Sequence, residues 1–529
     1  MLAAARSRQV GICVRDCIYM LGMKHANLLR QAQIPLVAPT ASRPIVLQER
    51  PNPAVAPTAP PLVVDLDDTL LRVDTLYELF VLGLFTKPVQ TLSSLLALKS
   101  GKAAFKRRLS GIAQLDVGSL PVREELLAYL RQEAATGREI HLATAAGAAV
   151  AAGVAERFAI FQSVQSTDRD VNLKGPRKAE RLKQLFPAGY VYAGDSRADL
   201  PVWQSASAAI IVSANPALSA AVQSAGIPIE RIFNKRPGQL SAWIRAIRPH
   251  QWVKNAIIFV PVILGWRDVA LASVATTLAM LMLLSVVASL TYLVNDMADL
   301  SSDRKHWSKR RRPFASGAIP LRDGLLVVGI ALPLACLLGL WISPAAGVCL
   351  ISYVIVTLGY SFGWKRIPLF DTFVIALLLT IRIVIGIAAA KLMPSAWLLT
   401  FSMFFFFSLA LAKRHTEILR ASENDFQKLE GRGYQLHDDS LTLTFGISAS
   451  MASIVIVVIY LVEEVFARDI YNTPAWLWIA PISIFLFSCR IWVLGHRGRM
   501  TDDPVAFALR DRVSIGLGLF VAAAILLAL

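Results

Sequence analysis

The chain has 529 residues, of which 55% are hydrophobic and 17% charged, and its mean hydropathy is +0.53. Ordinary soluble domains have about 45–50% apolar and about 25% charged residues, so this composition excludes a purely soluble protein. A supply of 24 Phe and 11 Trp also argues against a disordered or fibrous chain. The net charge of +17 collects at the ends of apolar runs, which is typical of a membrane protein. We therefore expect no nucleic-acid partner, whereas anionic lipid head groups and phosphorylated substrates remain open.

The N-terminal residues 1–60 are rich in Ala and Pro and poor in acidic residues, which predicts a disordered or peripheral tail. A targeting peptide remains open, as does a start at Met20 or Met23, although no apolar core with a cleavage site follows. The cysteines have no metal-ligand spacing and are interpreted as packing residues: Cys13, Cys17, Cys336, Cys349 and Cys489.

Residues 61–230 alternate short apolar runs with amphipathic helical patterns. This alternation predicts a Rossmann-like α/β domain with a parallel sheet. Ligands of such folds bind at the carboxyl ends of the strands, where this sequence places Asp65, Thr144 and Asp195. The predicted strands are 62–65, 140–144, 190–193 and 209–212, and the clearest helices are 123–135 and 177–186.

Two carboxylates follow the first predicted strand, Asp65 and Asp67. One can attack phosphorus, and the other can protonate the leaving oxygen and then activate water. The hydroxyl of Thr144, at the end of the second strand, can bind a phosphoryl oxygen. A solvated acidic turn is the alternative for Asp65 and Asp67 when they are considered alone.

Two further motifs come later in the same domain. Lys178, our first choice, or Lys174 can neutralise phosphoryl charge from the start of a helix. Asp195 and Asp199 form a carboxylate pair suited to Mg²⁺. Four motifs in order, each at a strand end or a helix start, favour a site over a solvated turn.

With these four motifs, residues 62–215 resemble the haloacid dehalogenase superfamily. The resemblance implies a phosphatase with Asp65 as nucleophile and Asp67 as general acid and base. Asp68 departs from the family pattern, in which Gly is common at this position. The implied Mg²⁺ ligands are Asp65, Asp67, Asp195 and Asp199.

A basic connector and amphipathic entry at 231–254 leads into residues 255–529, which contain about nine apolar runs long enough to cross a bilayer. They predict an all-α polytopic membrane domain, so the chain is multi-domain. The odd-numbered gaps between the runs hold only three basic residues, Arg267, Lys391 and Arg468, whereas the even-numbered gaps are rich in them. The positive-inside rule then places the N-terminal domain and the active sites in the cytoplasm, and the C-terminus outside, in an inner (plasma) membrane.

An acidic motif closes the second apolar run. Asn295, Asp299 and Asp303 are spaced four residues apart on one helix face, and Asp296 is adjacent. Charges near the hydrocarbon boundary are costly and are usually functional. Carboxylates that crowd together repel one another unless a cation binds, and oxygen ligands fit Mg²⁺ shared with a diphosphate. The predicted metal ligands are Asp296, Asp299 and Asp303.

Basic and polar residues around this motif are candidate contacts to phosphate groups. Topology alone also explains basic residues in the following loop, and a structural ion pair is the alternative for Arg382, which lies within a span. The candidate substrate-binding residues are Lys254, Asn295, Arg304, Lys309, Arg312, Tyr360, Lys365, Asp371, Arg382, Lys413 and Arg414.

Residues 240–529 resemble the UbiA superfamily of intramembrane transferases, whose two aspartate-rich motifs correspond to 295–303 and to the region that ends at Asp371. The second motif contains fewer Asp residues here than in most members. A narrower similarity, to the decaprenyl-phosphate phosphoribosyltransferases, rests on Arg248-Pro249-His250-Gln251-Trp252, on the run after Lys309, and on the segment 503–512.

The narrower similarity implies Mg²⁺-dependent transfer of 5-phosphoribosyl from phosphoribosyl diphosphate to a polyprenyl phosphate, with release of diphosphate. The fused phosphatase would remove the 5-phosphate of the product. Two alternatives remain open: a UbiA-type prenyltransferase with an aromatic acceptor, and a membrane anchor for a phosphatase. The sequence is compatible with an oligomer and does not specify the lipid length.

Overall fold

The structure, a computed structural model, describes residues 59–167, 173–234, 239–423, 433–466, 471–500, 504–508 and 510–528. These residues belong to one unit, Ala54–Leu529. The predicted tail lies outside the described residues except for residues 59 and 60, and so do Cys13, Cys17, Arg468 and Asp503.

A six-stranded parallel sheet forms the N-terminal domain, with the strand order β3-β2-β1-β4-β5-β6. The order reverses between β1 and β4, and ligands of doubly wound sheets bind in the crevice outside such a reversal. Apolar clusters cover both faces of the sheet, one including Val64 and Leu142 and the other Val63 and Trp203. The strands are β1 (Leu62–Val64), β2 (Ile140–Gly147), β3 (Ser163–Thr167), β4 (Val191–Gly194), β5 (Ala208–Val212) and β6 (Ile229–Phe233).

The predicted parallel sheet is confirmed, and the four predicted strands correspond to β1, β2, β4 and β5. The two outer strands were not predicted, because their sequences, Ser-Val-Gln-Ser-Thr and Ile-Glu-Arg-Ile-Phe, lack an apolar run. Both are edge strands with mostly half-buried or exposed side chains, so burial does not demand apolar residues there. The last strand ends at Phe233, inside the segment predicted as a connector.

The helices α1 to α3, with the 3₁₀ helix Leu95–Ser100, form an insertion between β1 and β2. The Asp74 side chain caps the first of them by accepting a hydrogen bond from the Leu76 amide at 2.8 Å. The helices of this domain are α1 (Thr75–Thr86), α2 (Pro88–Ser94), α3 (Lys102–Ile112), α4 (Glu124–Ala135), α5 (Ala148–Phe158), α6 (Pro176–Leu185), α7 (Leu200–Trp203) and α8 (Pro216–Ser224).

The remainder of the described chain is helical. Its helices are α9 (Gln239–Ile247), α10 (Val260–Leu264), α11 (Leu271–Ala298), α12 (Leu300–Lys305), α13 (Leu321–Ile342), α14 (Pro344–Phe362), α15 (Phe370–Ala390), α16 (Ala396–Glu423), α17 (Asp439–Tyr460), α18 (Ile479–His496), α19 (Pro504–Ala508) and α20 (Arg512–Ala528). By length and composition, 7 helical segments in the described chain can cross a membrane: Leu271–Ala298, Leu321–Ile342, Pro344–Phe362, Phe370–Ala390, Ala396–Ser422, Leu436–Val465 and Pro474–His496.

Two of the predicted spans, centred near Val260 and Phe520, are shorter in the structure than the sequence indicates. The later one, α20, has 17 residues. The earlier one consists of the 3₁₀ helix Pro249–Phe259 followed by the short helix α10. The prediction of about nine long spans therefore exceeds by two the number found among the described residues.

The segment 249–264 nevertheless runs along the whole bundle. At one end Arg248 pairs with Asp296, at the C-terminal end of α11. At the other end Gly265 lies against Leu392, beyond the C-terminal end of α15. Because a 3₁₀ helix rises about 2.0 Å per residue instead of about 1.5 Å, these residues extend over roughly 30 Å, about the thickness of a bilayer core.

Two candidate active sites

The first site lies at the reversal of strand order in the sheet. Asp65, directly after β1, accepts hydrogen bonds on Oδ1 from the Leu66 amide at 2.8 Å and from Lys178 Nζ at 2.9 Å. Lys178 is buried, whereas Lys174, the second choice of the sequence analysis, is exposed. We call the following residues the Asp65 site: Asp65, Asp67, Thr144, Lys178, Asp195 and Asp199.

Three carboxylates of the Asp65 site lie close enough together to hold a metal ion. One oxygen each of Asp65, Asp195 and Asp199 lies within 4.8 Å of the others. Such a set of hard oxygen donors fits Mg²⁺. Asp67, the fourth predicted ligand, is not part of this group, and its Oδ1 accepts the Thr75 amide at 2.9 Å.

A chain of hydrogen bonds orients two of these carboxylates. Lys178 Nζ also donates to the Tyr192 hydroxyl at 2.9 Å, and that hydroxyl donates to Asp199 Oδ1 at 3.1 Å. The other oxygen of Asp199 accepts from the Ser196 amide at 3.2 Å. Asp65 and Asp199 are therefore fixed relative to one another through Lys178 and Tyr192.

Burial changes the acidity of both leading carboxyl groups. It raises the pKa of Asp65 from 3.8 to about 6, although the nearby Lys178 ammonium opposes this effect. It raises the pKa of Asp67 from 3.8 to about 7, and the neighbouring Asp74 adds to the increase. A carboxyl group with a pKa near neutrality can both hold and release a proton, which a general acid and base must do.

Thr144 and one unpredicted residue complete the Asp65 site. Thr144 is fully buried, and its hydroxyl accepts the Ala146 amide at 2.9 Å. Lys106, on α3 of the helical insertion, donates to the adjacent carbonyl of Ala145 at 2.6 Å. Burial lowers the pKa of Lys106, and the carboxylates of Asp67 and Asp74 oppose this effect. Lys106 was not predicted, because it is distant in sequence from all four motifs.

The second site lies where α11 meets α12. We call Asn295, Asp296, Asp299 and Asp303 the Asp296 site. Arg312 Nη1 bridges Asp296 at 3.1 Å and Asp303 at 2.7 Å. Arg248 Nη2 contacts Asp296 at 2.6 Å, and Lys365 pairs with Asp299. Three cations from three separate segments thus neutralise the acidic motif.

The Asp296 site offers an available oxygen ligand. Asp296 Oδ2 is buried and has no hydrogen-bond partner within the described chain. A buried carboxylate oxygen without a partner is costly and is a natural ligand for a cation. Among the described residues the carboxylates of this site are not close enough to form a metal cluster by themselves, so substrate oxygens would complete the coordination. Burial also raises the pKa of Asp303 to about 6, whereas Arg312 lowers it.

A cavity of about 500 Å³ opens beside the Asp296 site. Its lining includes Asn295 of the Asp296 site and apolar residues such as Leu378 and Leu379. One carboxylate, Glu417, contributes to the lining within the described chain. The cationic lining residues are Arg248, Lys254, Arg382, Lys413 and Arg420.

Arg382 lines the cavity, as predicted. Among the described residues it forms no ion pair with a carboxylate. Its guanidinium donates to Asn255 Oδ1 at 2.9 Å, to the Tyr353 hydroxyl at 3.1 Å and to the Leu378 carbonyl at 2.6 Å. These neutral groups orient the guanidinium and do not cancel its charge. A buried cation held in this way attracts an anionic ligand.

Several predicted binding residues lie away from the cavity. Asp371 and Arg414 form a fully buried ion pair at 2.8 Å, and the Tyr434 hydroxyl donates to Asp371 at 2.6 Å. Arg304 pairs with Glu78 of the N-terminal domain, and Lys309 is exposed. The predicted residues that do line the cavity are Lys254, Asn295, Tyr360, Arg382 and Lys413.

Other cavity residues were not predicted, among them Arg248, Gln251, Tyr353, Glu417 and Arg420. The run that begins at Arg248 was used for the resemblance, but only Lys254 was selected from it as a ligand. Helical spacing was the missed signal for two of the others, because Glu417 and Arg420 follow Lys413 by four and seven residues.

Comparison with known proteins shows that the membrane domain resembles a class of membrane transferases. Residues 257–510 match the UbiA prenyltransferase family, so the chain contains a UbiA-family domain. It is 37% identical over 469 residues to a protein of Sinorhizobium fredii designated "Uncharacterized protein y4nM", covering 89% of this chain and 91% of the relative. It is 28% identical over 291 residues to the decaprenyl-phosphate phosphoribosyltransferase of Mycobacterium tuberculosis, covering 54% of this chain and 93% of that protein.

A solved structure of a UbiA homologue from Archaeoglobus fulgidus, bound to GPP and Mg²⁺, is also similar. It is 14% identical, with a TM-score of 0.39, and the match covers 54% of this chain and 99% of that one.

Proposed function

We propose that the membrane domain transfers a 5-phosphoribosyl group from phosphoribosyl diphosphate to a polyprenyl phosphate and releases diphosphate. The charge of the cavity carries this proposal, since five cationic side chains and one carboxylate of the described chain line it. The donor has three phosphoryl groups and the acceptor is itself anionic, so the pair needs many cations. A prenyl diphosphate with a neutral aromatic acceptor needs fewer. The similarity to a mycobacterial decaprenyl-phosphate phosphoribosyltransferase supports the same assignment.

In this proposal the Asp296 site binds the metal ion, and the cavity residues orient the phosphoryl groups. Mg²⁺ held by Asp296 Oδ2 and its neighbours would neutralise the diphosphate as its bond to ribose C1 breaks. Arg382 and Lys413 would orient phosphoryl groups from the cavity wall. A lipid phosphate oxygen then forms the new bond to C1. This oxygen is already anionic, so the step needs no general base, which agrees with a cavity whose charged lining residues are mostly cations.

We propose that the N-terminal domain is a haloacid dehalogenase-like phosphatase that removes the 5-phosphate of the product. Asp65 would attack phosphorus, and Asp67, whose pKa is about 7, would protonate the leaving 5-oxygen. Asp67 would then take a proton from the water that hydrolyses the aspartyl-phosphate, which releases inorganic phosphate and restores Asp65. Lys178 would neutralise charge on the phosphoryl group. Asp65, Asp195 and Asp199 would hold Mg²⁺. The strand order and the position of Asp65 at its reversal support this role.

The chain is an integral membrane protein, and we propose that it lies in the plasma membrane with both sites facing the cytoplasm. The basic residues between the apolar runs support this orientation. A tag before Asp65 should be reachable only from the cytoplasm, and one after Leu529 only from outside. If both tags are reachable from the same side, the chain crosses the membrane an even number of times, which would contradict this orientation.

Donor choice tests the transferase. Purified protein receives polyprenyl phosphate with radiolabelled phosphoribosyl diphosphate, or an aromatic acceptor with radiolabelled prenyl diphosphate, both with Mg²⁺. We expect a new labelled lipid product, separated chromatographically from the unreacted donor, only with the ribosyl donor. Label transferred from the prenyl donor alone would support the conventional prenyltransferase, and no transfer from either donor would favour a membrane anchor.

A further inference from the structure

The segment that follows α1 exposes its apolar side. It comprises α2 and the adjoining 3₁₀ helix Leu95–Ser100. Val89 is 79% exposed and Leu96 is 65% exposed, and Leu92, Leu95 and Leu98 are exposed as well. A surface helix of a soluble domain directs such residues toward its core.

The buried side of the same segment is polar. Thr91 and Ser94 are fully buried. The Thr91 hydroxyl donates to the Lys87 carbonyl at 3.0 Å, and the Ser94 hydroxyl donates to the Thr91 carbonyl at 2.6 Å. Because these bonds stay within the helix, the hydroxyls can pack inward without an external partner. The polarity of the segment is thus inverted, which indicates an apolar medium on its outer side.

The exposed side begins where a membrane helix ends. Phe85, in the last turn of α1, lies against Phe362, the last residue of α14, with ring centroids 5.0 Å apart. Through Val81, α1 also joins an apolar cluster with Leu293 of α11. Only Lys87 separates α1 from α2, so the exposed leucines continue from the end of the membrane bundle.

Charged residues border the apolar stretch. Lys87 and Lys99 are exposed at its two ends, and Arg108 is exposed on the following helix α3. Apolar residues flanked by Lys and Arg are typical of helices that lie in the surface of a bilayer with anionic lipids.

We propose that residues 88–100 lie in the surface of an anionic lipid bilayer, with Leu92 and Leu96 among the upper acyl chains. The next helix, α3, carries Lys106 to the Asp65 site, so this contact would hold that site beside the lipid surface. The position of the segment does not depend on which reaction the Asp65 site performs.

Fluorescence quenching by spin-labelled lipids tests the proposal. The full chain, with its five cysteines replaced by serine, is reconstituted in vesicles of phosphatidylcholine and phosphatidylglycerol. An environment-sensitive fluorophore is attached to a Leu96→Cys variant, and some lipids carry a nitroxide near the top of the acyl chain. We expect blue-shifted emission and loss of most of the fluorescence. Leu337→Cys on α13 is the lipid-facing control, and Gln184→Cys, exposed on α6, is the aqueous control.

Two results would overturn the proposal. If Leu96→Cys behaves like Gln184→Cys, with red emission and no quenching, the segment faces water. If its emission is blue-shifted but the nitroxide lipids do not quench it, protein covers the segment instead of lipid, and cross-linking would then show whether a second copy does so.

Discussion

Glu78 of α1 and Arg304 of α12 form a two-bonded ion pair that joins the N-terminal domain to the membrane domain. Arg304 Nη2 and Nη1 contact the two carboxylate oxygens at 2.6 and 3.0 Å, and both side chains are almost fully buried. Arg304 Nε also donates to the Ala315 carbonyl at 3.1 Å. All the guanidinium nitrogens are therefore used in holding the loop after the Asp296 site against α1, which itself starts beside Asp67.

Removing one partner of this pair should be costly. We expect Glu78→Ala to lower the free energy of unfolding by about 3–5 kcal/mol, because Arg304 is left as an uncompensated buried cation. The matched control is Asp116→Ala, which removes the exposed pair with Lys305 at 3.0 Å. Such a surface pair contributes at most about 1 kcal/mol. Denaturant titration of the purified protein measures both, and equal losses would mean that the buried pair does not hold the domains together.

A glycine at the same junction allows a close approach between the domains. Gly317 has φ +69°, and a Cβ added there would lie 2.8 Å from both the Cβ and the carbonyl oxygen of Arg72. We expect Gly317→Ala to destabilise the protein by about 1–3 kcal/mol more than a control glycine that has only the backbone strain. Gly226 is that control, since its φ is +72° and nothing lies within 4 Å of the added Cβ. If the two variants unfold at the same denaturant concentration, the junction is not tightly packed.

The Asp296 site should be essential for transfer. We expect Asp296→Ala to reduce the rate of lipid-linked ribose formation by roughly 100-fold or more, because the proposed metal ligand and its oriented charge are lost. Asp323→Ala is the control, since Asp323 lies on the surface of α13 beside Arg322. Radiolabelled product formation is measured for both at equal amounts of membrane-inserted protein. A near wild-type rate for Asp296→Ala would exclude this metal site.

Asp371 and Arg414 should act on stability and not on substrate binding. We expect Asp371→Ala to lower the free energy of unfolding by at most about 3–5 kcal/mol, because buried Arg414 loses one of its two acidic partners among the described residues and the Tyr434 hydroxyl loses its acceptor. The Michaelis constant for the donor should be unchanged in the fraction that folds. Arg382→Lys, in the cavity, should instead raise that constant, because lysine cannot reproduce the directed guanidinium contacts. A raised Michaelis constant in Asp371→Ala would mean that Asp371 does contribute to binding of the donor.

The sequence predicted those elements whose signal is local. β1, β2, β4 and β5 each read as an apolar run, and Asp65 and Asp195 stand at the ends of two of them. The spacing of Asn295, Asp299 and Asp303 was visible for the same reason. The edge strands β3 and β6 had no such run.

Pairings over a long sequence distance were not predictable. Arg304 looked like a phosphate ligand because its partner Glu78 lies 226 residues away. Arg414 and Asp371 are 43 residues apart, so each looked like an isolated charge available to substrate. The run centred near Val260 was apolar enough to predict a span, but periodicity does not distinguish a 3₁₀ helix from a longer α-helix.

The sharpest prediction concerns the two sites together. Asp65→Asn keeps the shape of the side chain but removes the anionic oxygen of the proposed nucleophile, so the proposed hydrolysis should fall by orders of magnitude. Transfer should continue, because the Asp296 site belongs to the membrane domain. The variant should therefore accumulate polyprenyl-phosphoryl ribose that still carries its 5-phosphate, whereas the wild type and the surface control Glu180→Gln should release inorganic phosphate from it. Mass spectrometry of the lipid extract would show one additional phosphoryl group in Asp65→Asn. Identical phosphorylated lipid from all three proteins would mean that the Asp65 site acts on another substrate.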